Sequence, residues 1–248
     1  MKILKYKKKR NGQYDLQLES GDVLSLYEEV ILKFELLLKN RIDEKEKEEI
    51  LLCNQEYDVY YVALRSLKSR FRSVCELRKL LLKKKYPQDY VEKAICKLLE
   101  QGYLDDRSFA KAYINEQIIT TSKGPRKIET ELLSRGVCSS IIDDEILIFT
   151  KEEQIPKIKK VANRLIRSNR SRGGVVLRNK IIHDLQTLGY DIAIIDEVLK
   201  TIDFGDTKDI AKKEYDKLYR KFSRKYSGRQ LEYKIKEKLY QKGLYYED

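Results

Sequence analysis

The stretch IETELLSRGV, from Ile128 to Val137, decides the architecture of this chain. Ile128 and Leu132 are four residues apart, so on a helix they share one face and pack inward together. Gly136, four residues further on, suits the left-handed position that ends a helix. The stretch therefore predicts an amphipathic helix with a glycine stop, after which Val137 packs under the helix end.

The same pattern occurs three more times along the chain. The copies are LRKLLLKKKY at Leu77–Tyr86, IIHDLQTLGY at Ile181–Tyr190 and IKEKLYQKGL at Ile235–Leu244. Their first residues, 77, 128, 181 and 235, are 51, 53 and 54 positions apart. The first copy has Lys85 where the others have glycine, so its left-handed site is expected to be strained or absent. A period of this length predicts stacked helical units.

Each unit is predicted to hold three helices. The first precedes the repeated stretch, at 59–70, 108–119, 158–168 and 210–224, and the third follows it. The third helices are marked by inward pairs at Val91 and Ile95, Ile142 and Ile146, and Ile195 and Leu199. The predicted domains are 57–103, 104–150, 151–204 and 205–248. The last of these has no residues for a third helix, so an exposed apolar patch or a frayed end is expected there.

Residues 1–56 are predicted to form a small β-meander and linking helices. Strands at 3–8, 14–18 and 23–26 are separated by Asn11-Gly12, which favours a hairpin turn, and by a second turn at 20–22. A helix from Glu28 to near Asn40 follows, and Asp43 with Glu46 forms a capping box for the next helix. The fold class is therefore mainly α: an elongated, curved array of tandem three-helix, helix-turn-helix-like repeats with an N-terminal β-meander.

Composition excludes several classes of protein. Fifty-two Lys and Arg against 40 Asp and Glu give a net charge of +12, which favours a polyanionic or acidic partner. No apolar run reaches the 18 or more residues of a membrane span, and the charged start at 1–7 is not followed by the apolar region typical of a signal peptide, so a cytoplasmic protein is expected. The four cysteines form no C-x-x-C pair, so buried, reduced thiols are expected rather than a zinc site.

No residue set indicates catalysis. A nucleophilic pair would have to use His183, the only histidine. Asp105-Asp106 and Asp143-Asp144-Glu145 are interpreted as helix-start acids rather than metal ligands. Gly173-Gly174 lacks the form of a nucleotide-binding loop. The sequence therefore predicts no catalytic residue, no metal and no cofactor.

The distribution of basic residues indicates a binding surface. Gln154 to Ile182 contains no acidic residue, and a second basic run covers 217–229. Pro125 suits the first position of a helix, where Arg126 and Lys127 either help to hold an anion or are simply exposed. Whether the partner is DNA, an acidic protein surface or both is left open by the residues. The predicted contact residues are Arg126, Lys127, Arg135, Arg164, Arg167, Arg170, Arg172 and Arg178.

Two linked motifs carry a family resemblance. One is Leu98-x3-Gly-Tyr-Leu-Asp-Asp-x2-Phe-Ala-x2-Tyr113, and the other is Gly124-Pro-Arg-Lys-Ile-x2-Glu-Leu-x3-Gly-Val137. In this order and spacing they resemble the signature of the RecX family, bacterial regulators of the RecA recombinase. The matching residues are apolar, glycine or capping types and are interpreted as structural: Tyr103, Leu104, Asp105, Asp106, Phe109, Gly124, Pro125, Ile128, Leu132 and Gly136.

The resemblance implies a function. Members of the family bind RecA in the groove of its filament on single-stranded DNA, and inhibit its recombination, ATPase and coprotease activities without catalysis or a cofactor. Some members also contact DNA directly. A monomer is expected, since the filament supplies the multiplicity. The alternative is a stand-alone DNA-binding protein that uses its helix-turn-helix-like units.

Overall fold

The N-terminal residues form a three-stranded antiparallel sheet. The computed structural model describes residues 1–9, 12–204 and 207–245. Strands β1 (Ile3–Lys8), β2 (Gln13–Leu18) and β3 (Val23–Tyr27) pair in the order β1-β2-β3. Alternation places Leu16 and Leu18 on the buried face of β2, as the period-two pattern predicts. Asn11, in the predicted first turn, lies outside the described residues.

Helix α1 (Glu28–Lys33) is shorter than predicted. The expected end near Asn40 is wrong, because Glu35 adopts φ 51° and turns the chain out of the helix. The Leu36 amide then donates to the Ile31 carbonyl at 2.9 Å, and the Leu36 side chain is completely buried beneath the sheet. The helix therefore ends early because the chain turns to bury Leu36.

Helix α2 (Glu44–Ser69) links the sheet to the first repeat. The Asp43 carboxylate accepts from the Glu46 amide at 2.7 Å, which confirms the predicted N-cap. The first half of α2 holds the sheet through Asn54, whose side chain accepts from the Tyr27 amide at 2.9 Å. The second half buries Val59 and Ala63 among the helices that follow. The predicted boundary between residues 56 and 57 falls inside this helix.

The remaining chain is helical. The chain divides into unit 1, Met1–Phe109 with Arg135–Val137, and unit 2, Ala110–Ser134 with the residues from Cys138 onward. A 3₁₀ turn at Ile146–Ile148 follows the seventh helix. The helices are α3 (Val74–Lys83), α4 (Gln88–Glu100), α5 (Asp106–Thr120), α6 (Pro125–Ser134), α7 (Ser139–Glu145), α8 (Lys151–Ser168), α9 (Gly174–Thr187), α10 (Ile192–Leu199), α11 (Thr207–Phe222) and α12 (Gly228–Gln241).

The repeated stretches lie on α3, α6, α9 and α12, and their inward positions are buried as predicted. No more than 2% of any of these eight side chains is exposed: Leu77, Leu81, Ile128, Leu132, Ile181, Leu185, Ile235 and Leu239. Each stretch also ends in the left-handed conformation, with φ 80° at Gly136, 94° at Gly189 and 71° at Gly243. Lys85 adopts φ 65°, so the left-handed site of the first copy is present although its residue is not glycine.

Two minor expectations are wrong. Asp143, Asp144 and Glu145 lie at the C-terminal end of α7, because this helix begins at Ser139, directly after the extended Cys138. Burial of the cysteines holds for Cys53 but not for Cys96 or Cys138, whose side chains are exposed.

One type of hydrogen bond recurs among the helices that carry the repeated stretches. It joins the residue directly before one of these helices to the residue directly after a later one. In unit 1 the Ser73 hydroxyl, before α3, donates to the Arg135 carbonyl at 2.6 Å. In unit 2 the Gly124 amide donates to the Leu188 carbonyl at 2.7 Å, and the Gly173 amide to the Lys242 carbonyl at 3.0 Å. Each acceptor immediately precedes a left-handed glycine. We call these three contacts the helix-end junctions.

The junctions use groups that a helix leaves without partners. The first amides and the last carbonyls of a helix lack intrahelical hydrogen bonds and carry opposite partial charges. At the two junctions of unit 2 a free amide at the electropositive start of one helix meets a free carbonyl at the electronegative end of another, so the two groups satisfy each other. In unit 1 the Ser73 hydroxyl is the donor instead of an amide. Gly136, Gly189 and Gly243 are needed there for close approach as well as for φ. A Cβ on Gly136 would lie 2.6 Å from the Cys75 Sγ, and one on Gly189 would lie 2.8 Å from the Lys127 Cβ.

The first prediction concerns Gly136. Gly136→Ala places a Cβ against Cys75 at φ 80°, so we expect a loss of about 2–5 kcal/mol from left-handed strain and overpacking together. Gly102→Ala is the matched control in unit 1, because Gly102 has φ 70° but nothing within 4 Å of an added Cβ. It should lose only about 1–2 kcal/mol. Equal losses in urea unfolding would contradict the close approach at the junction.

The second prediction concerns Ser73, which is completely buried. Its hydroxyl also accepts from the Glu76 amide at 3.1 Å, so Ser73→Ala removes an N-cap and a junction bond at once. We expect a loss of about 1–3 kcal/mol in thermal or urea unfolding. Ser227→Ala is the control, because Ser227 precedes α12 without a side-chain cap bond. A loss at Ser227 as large as that at Ser73 would count against the role of Ser73.

Candidate functional site

Helix α8 separates its apolar and basic residues onto opposite sides. Ile158, Val161 and Ala162 are buried. Lys160, Arg164 and Arg167 follow the spacing i, i+4, i+7, which puts them on one exposed side of the helix. Lys159 lies beside this stripe, and Arg170 is exposed just after the helix ends. We call the five residues Lys159, Lys160, Arg164, Arg167 and Arg170 the α8 basic face.

The charge of the α8 basic face is not compensated by any acid that the structure describes. Within residues 1–9, 12–204 and 207–245, no carboxylate forms an ion pair with any of its five side chains. The acids of α8, Glu152 and Glu153, lie in the first turn, where they face the positive end of the helix dipole. The cations of the face are therefore available to an external anion.

Lys157 belongs to the same acid-free stretch but points inward. Its ammonium group donates to the Thr121 carbonyl at 3.0 Å and also to the Ile118 carbonyl, at the end of α5. Burial lowers the Lys157 pKa, and the nearby positive charge of Lys160 lowers it further. Lys157 therefore stabilises the end of α5 rather than extending the basic face.

Three of the predicted contact residues are paired within the protein. Arg126 lies 2.5 Å from Asp191, and Arg178 lies 3.1 Å from Asp196. Arg135 pairs with Glu76 in unit 1, where the Glu76 side chain is largely buried. These ion pairs neutralise the positive charge of three of the eight residues that were predicted to contact a partner. Arg164, Arg167, Arg170, Arg172 and Lys127 have no such pair among the described residues.

The start of α6 is not an open anion site. The expectation that α6 begins at Pro125 is confirmed. However, the Gly124 amide donates to Leu188, and the Arg126 amide donates to the Gly189 carbonyl at 3.1 Å. Because the junction occupies these amides, the alternative in which they hold an anion is wrong, and Arg126 and Lys127 are exposed charges beside it.

The two aspartates of the first motif stabilise helix starts. The Asp105 carboxylate accepts from the Ser108 and Arg107 amides at 3.0 Å, and its hydrogen bonds with Ser108 lower its pKa. Asp106 accepts from the Val74 amide at 2.8 Å, while burial raises its pKa. Both carboxylates are therefore engaged in capping. Among the described residues, no group of three or more His, Cys, Asp or Glu side chains is arranged to hold a metal ion.

Most of the family-motif residues are structural, with Tyr103 as the exception. Leu104, Phe109, Ile128 and Leu132 are buried, while 59% of Tyr103 is exposed. Its ring lines an apolar groove of unit 1 with exposed Phe71. His183 is exposed on α9.

A second exposed surface was missed from the sequence. Tyr233, Tyr240 and Tyr245 line a cavity of about 680 Å³ beside α12. The expectation for the fourth repeat was an exposed apolar patch or a frayed end, and it did not identify these tyrosines. The signal was present in the sequence, because Tyr219, Tyr226, Tyr233 and Tyr240 recur every seven residues. Within the described ranges, no helix combines the length and apolar character that are needed to cross a bilayer.

Comparisons with known proteins agree with these features. The model of the first three-helix domain of RecX matches residues 60–98, and that of the second matches residues 105–145. The chain is 30% identical over 244 residues to the regulatory protein RecX of Limosilactobacillus reuteri (strain DSM 20016), covering 97% of this chain and 92% of that protein. It is 30% identical over 253 residues to RecX of Listeria monocytogenes serotype 4a (strain HCC23), covering 100% of this chain and 94% of that protein.

Solved structures show the same fold. A crystal structure of regulatory protein RecX superposes with a TM-score of 0.72 at 29% identity, over 80% of this chain and 98% of the other. RecX from Lactobacillus salivarius superposes with a TM-score of 0.59 at 25% identity, over 62% of this chain and 99% of the other. On its sequence, its motifs and its fold, the chain belongs to the RecX family of regulatory proteins.

Proposed function

We propose that this protein binds the RecA recombinase in the groove of the RecA filament on single-stranded DNA and inhibits its recombination, ATPase and coprotease activities. Membership of a family of regulatory proteins supports the proposal. The observation that carries it is the α8 basic face, whose five exposed cations have no ion-pair partner among the described residues. The protein would act as a cytoplasmic monomer, without catalysis and without a cofactor.

The chemistry of the α8 basic face suits a filament of protein on DNA. Guanidinium groups form paired hydrogen bonds with both carboxylates and phosphates. Arg164 and Arg167 are three residues apart on one side of α8 and can contact neighbouring anions together. Charged surfaces of this kind increase association rates and give binding that weakens as salt rises.

The pairing pattern separates binding residues from structural ones. Arg164, Arg167, Arg170 and Arg172 are the candidates that keep their full charge for a partner. Arg126 and Arg178 would first have to leave Asp191 and Asp196. If Arg135 contacted the filament, the largely buried Glu76 carboxylate would lose its ion-pair partner. The filament contact is therefore centred on α8 and the turn that follows it.

The third prediction tests this assignment by charge reversal. The triple variant Arg164→Glu, Arg167→Glu, Arg170→Glu should reduce co-sedimentation with RecA–single-stranded DNA filaments by about 10- to 100-fold in affinity, which corresponds to roughly 1.4–2.8 kcal/mol. The matched control is Lys79→Glu, Lys83→Glu, Lys84→Glu, which makes the same change in net charge at exposed positions of unit 1. Circular dichroism checks that both variants remain folded.

Two outcomes would contradict the assignment. Binding of the α8 variant at the strength of the unmodified protein would remove the α8 basic face from the contact. Equal weakening by the control would mean that net charge, rather than this face, governs binding.

The fourth prediction concerns activity. Titration of the protein into RecA ATPase reactions on single-stranded DNA should lower the rate, and the α8 triple variant should need at least about tenfold more protein for the same effect. Unchanged ATPase and coprotease activity at saturating protein would contradict inhibition. Tight, salt-sensitive binding to duplex DNA without RecA, together with that result, would favour the stand-alone DNA-binding alternative.

A further inference from the structure

The C-terminal helices present tyrosines at regular intervals on their surface. Tyr226, Tyr233 and Tyr240 are seven residues apart, and 36%, 68% and 67% of these side chains are exposed. Tyrosine rings normally lose most of their exposure when they contribute to a core. These rings therefore do not form part of the core of α11 and α12.

Packing of α12 leaves two tyrosines on its outer side. The helix buries Leu231, Ile235 and Leu239 against α11. Tyr233 and Tyr240 lie on the opposite side, two helical turns apart, which separates them by about 10 Å along the axis. Tyr226 lies just before the helix and continues the series.

The other three repeats show that this face needs no aromatic residue. The positions that match Tyr233 are Cys75, Arg126 and Asn179. Those that match Tyr240 are Leu82, Leu133 and Gln186. In the first two repeats the residue that matches Tyr233 is engaged within the fold. Cys75 packs against Gly136, and Arg126 is paired with Asp191. The paired, exposed tyrosines are therefore particular to the last repeat.

The tyrosines line two adjoining cavities. One, of about 680 Å³, is lined by Tyr233, Tyr240 and Tyr245, and the other, of about 360 Å³, by Tyr226 and Tyr233. Because Tyr233 contributes to both, they run side by side along α12. Lys236 lines the first cavity, and Arg229 with Lys234 lines the second. The surface therefore alternates flat aromatic rings with cations.

The charge around this surface is strongly positive. From Lys217 to Lys242 the sequence has ten Lys and Arg and two acids, Glu232 and Glu237. Glu237 is paired with Lys234 at 2.9 Å, and Lys217 and Lys242 are both paired with Glu214. Seven of the ten cations therefore remain without an ion pair among the described residues. A partner that fits must therefore bring negative charge as well as flat apolar faces.

We propose that the outer face of α12 binds single-stranded DNA, with bases stacked on Tyr233 and Tyr240 and the phosphate backbone beside Arg229 and Lys236. Stacking on aromatic rings in a basic groove is the general mode for unpaired strands. Duplex DNA fits poorly, because its bases are paired inside and stacked about 3.4 Å apart, whereas the two rings are about 10 Å apart. The choice of DNA rather than RNA rests on the proposed function, since the stacking chemistry is common to both.

The site is distinct from the α8 basic face in its chemistry. The α8 face offers charge without exposed aromatic rings, whereas α12 offers both. Its contribution would be to hold unpaired DNA while α8 contacts the filament.

The fifth prediction measures binding without RecA. Fluorescence anisotropy with a labelled oligothymidylate of about 30 nucleotides should show that Tyr233→Ala with Tyr240→Ala weakens binding by about tenfold or more. Tyr233→Phe with Tyr240→Phe should bind within about twofold of the unmodified protein, since the rings can still stack. Tyr103→Ala is the matched control, because its ring is 59% exposed in unit 1.

Three results would overturn the proposal: full binding by the double alanine variant, equal weakening by Tyr103→Ala, or binding of a duplex of the same length as tightly as the single strand. Tighter binding of oligouridylate than of oligothymidylate would overturn the choice of DNA.

A reporter variant locates the contact directly. The chain contains no tryptophan, so Tyr233→Trp introduces a single tryptophan on α12 that keeps an aromatic ring there. Its fluorescence should be quenched by oligothymidylate, while that of Tyr103→Trp should not change. Quenching in the Tyr103→Trp protein alone would place the DNA elsewhere and overturn the assignment. Since RecA is absent, failure here is distinguishable from failure of filament binding.

Discussion

The helix-end junction is the interaction on which the rest of this structure depends. A three-helix repeat of about 50 residues buries too little apolar surface to be stable alone, so it must gain from its neighbours. The junction supplies part of that gain by joining an amide, or in one case the Ser73 hydroxyl, to a carbonyl that a helix end leaves without a partner. Glycine next to the acceptor carbonyl provides both the left-handed turn and the space for close approach. Lys85 takes the place of this glycine in the first repeated stretch. No glycine is needed there for close approach, because no earlier repeat precedes it to form a junction.

The junctions and ion pairs also determine which charges remain available. Arg126, Arg135 and Arg178 are paired with acids, and the amides at the start of α6 are hydrogen-bonded to carbonyls. No acid in the described part of the chain pairs with the α8 basic face. The net charge of +12 therefore has two parts. Several cations near helix ends are paired with acids, whereas the α8 basic face and some cations beside α12 have no ion-pair partner among the described residues. Binding surfaces in this protein are therefore best identified from the charged side chains that form no ion pair within the fold.

Much of the fold follows from the sequence, because period and turn chemistry are local. The strands, the repeated stretches, the left-handed glycines and the Asp43 cap were all predictable, and the family assignment follows from two motifs. The early end of α1 was not, since it depends on burial of Leu36 under the sheet. The pairing of Arg135 with Glu76, 59 residues away, could not be predicted from spacing either. The tyrosine series could have been found from its seven-residue interval, but its exposure required the structure.

Hydrogen exchange in the free protein tests the junctions most directly. The Gly124 and Gly173 amides precede helices, where an amide without an acceptor exchanges rapidly. If they donate to Leu188 and Lys242, exchange at both should be slowed to a degree comparable with the core amides of α6 and α9. The amide of Ser227, the residue directly before α12, provides a reference within the same unit. Exchange of Gly124 and Gly173 at the rate of an unstructured loop would contradict the helix-end junctions.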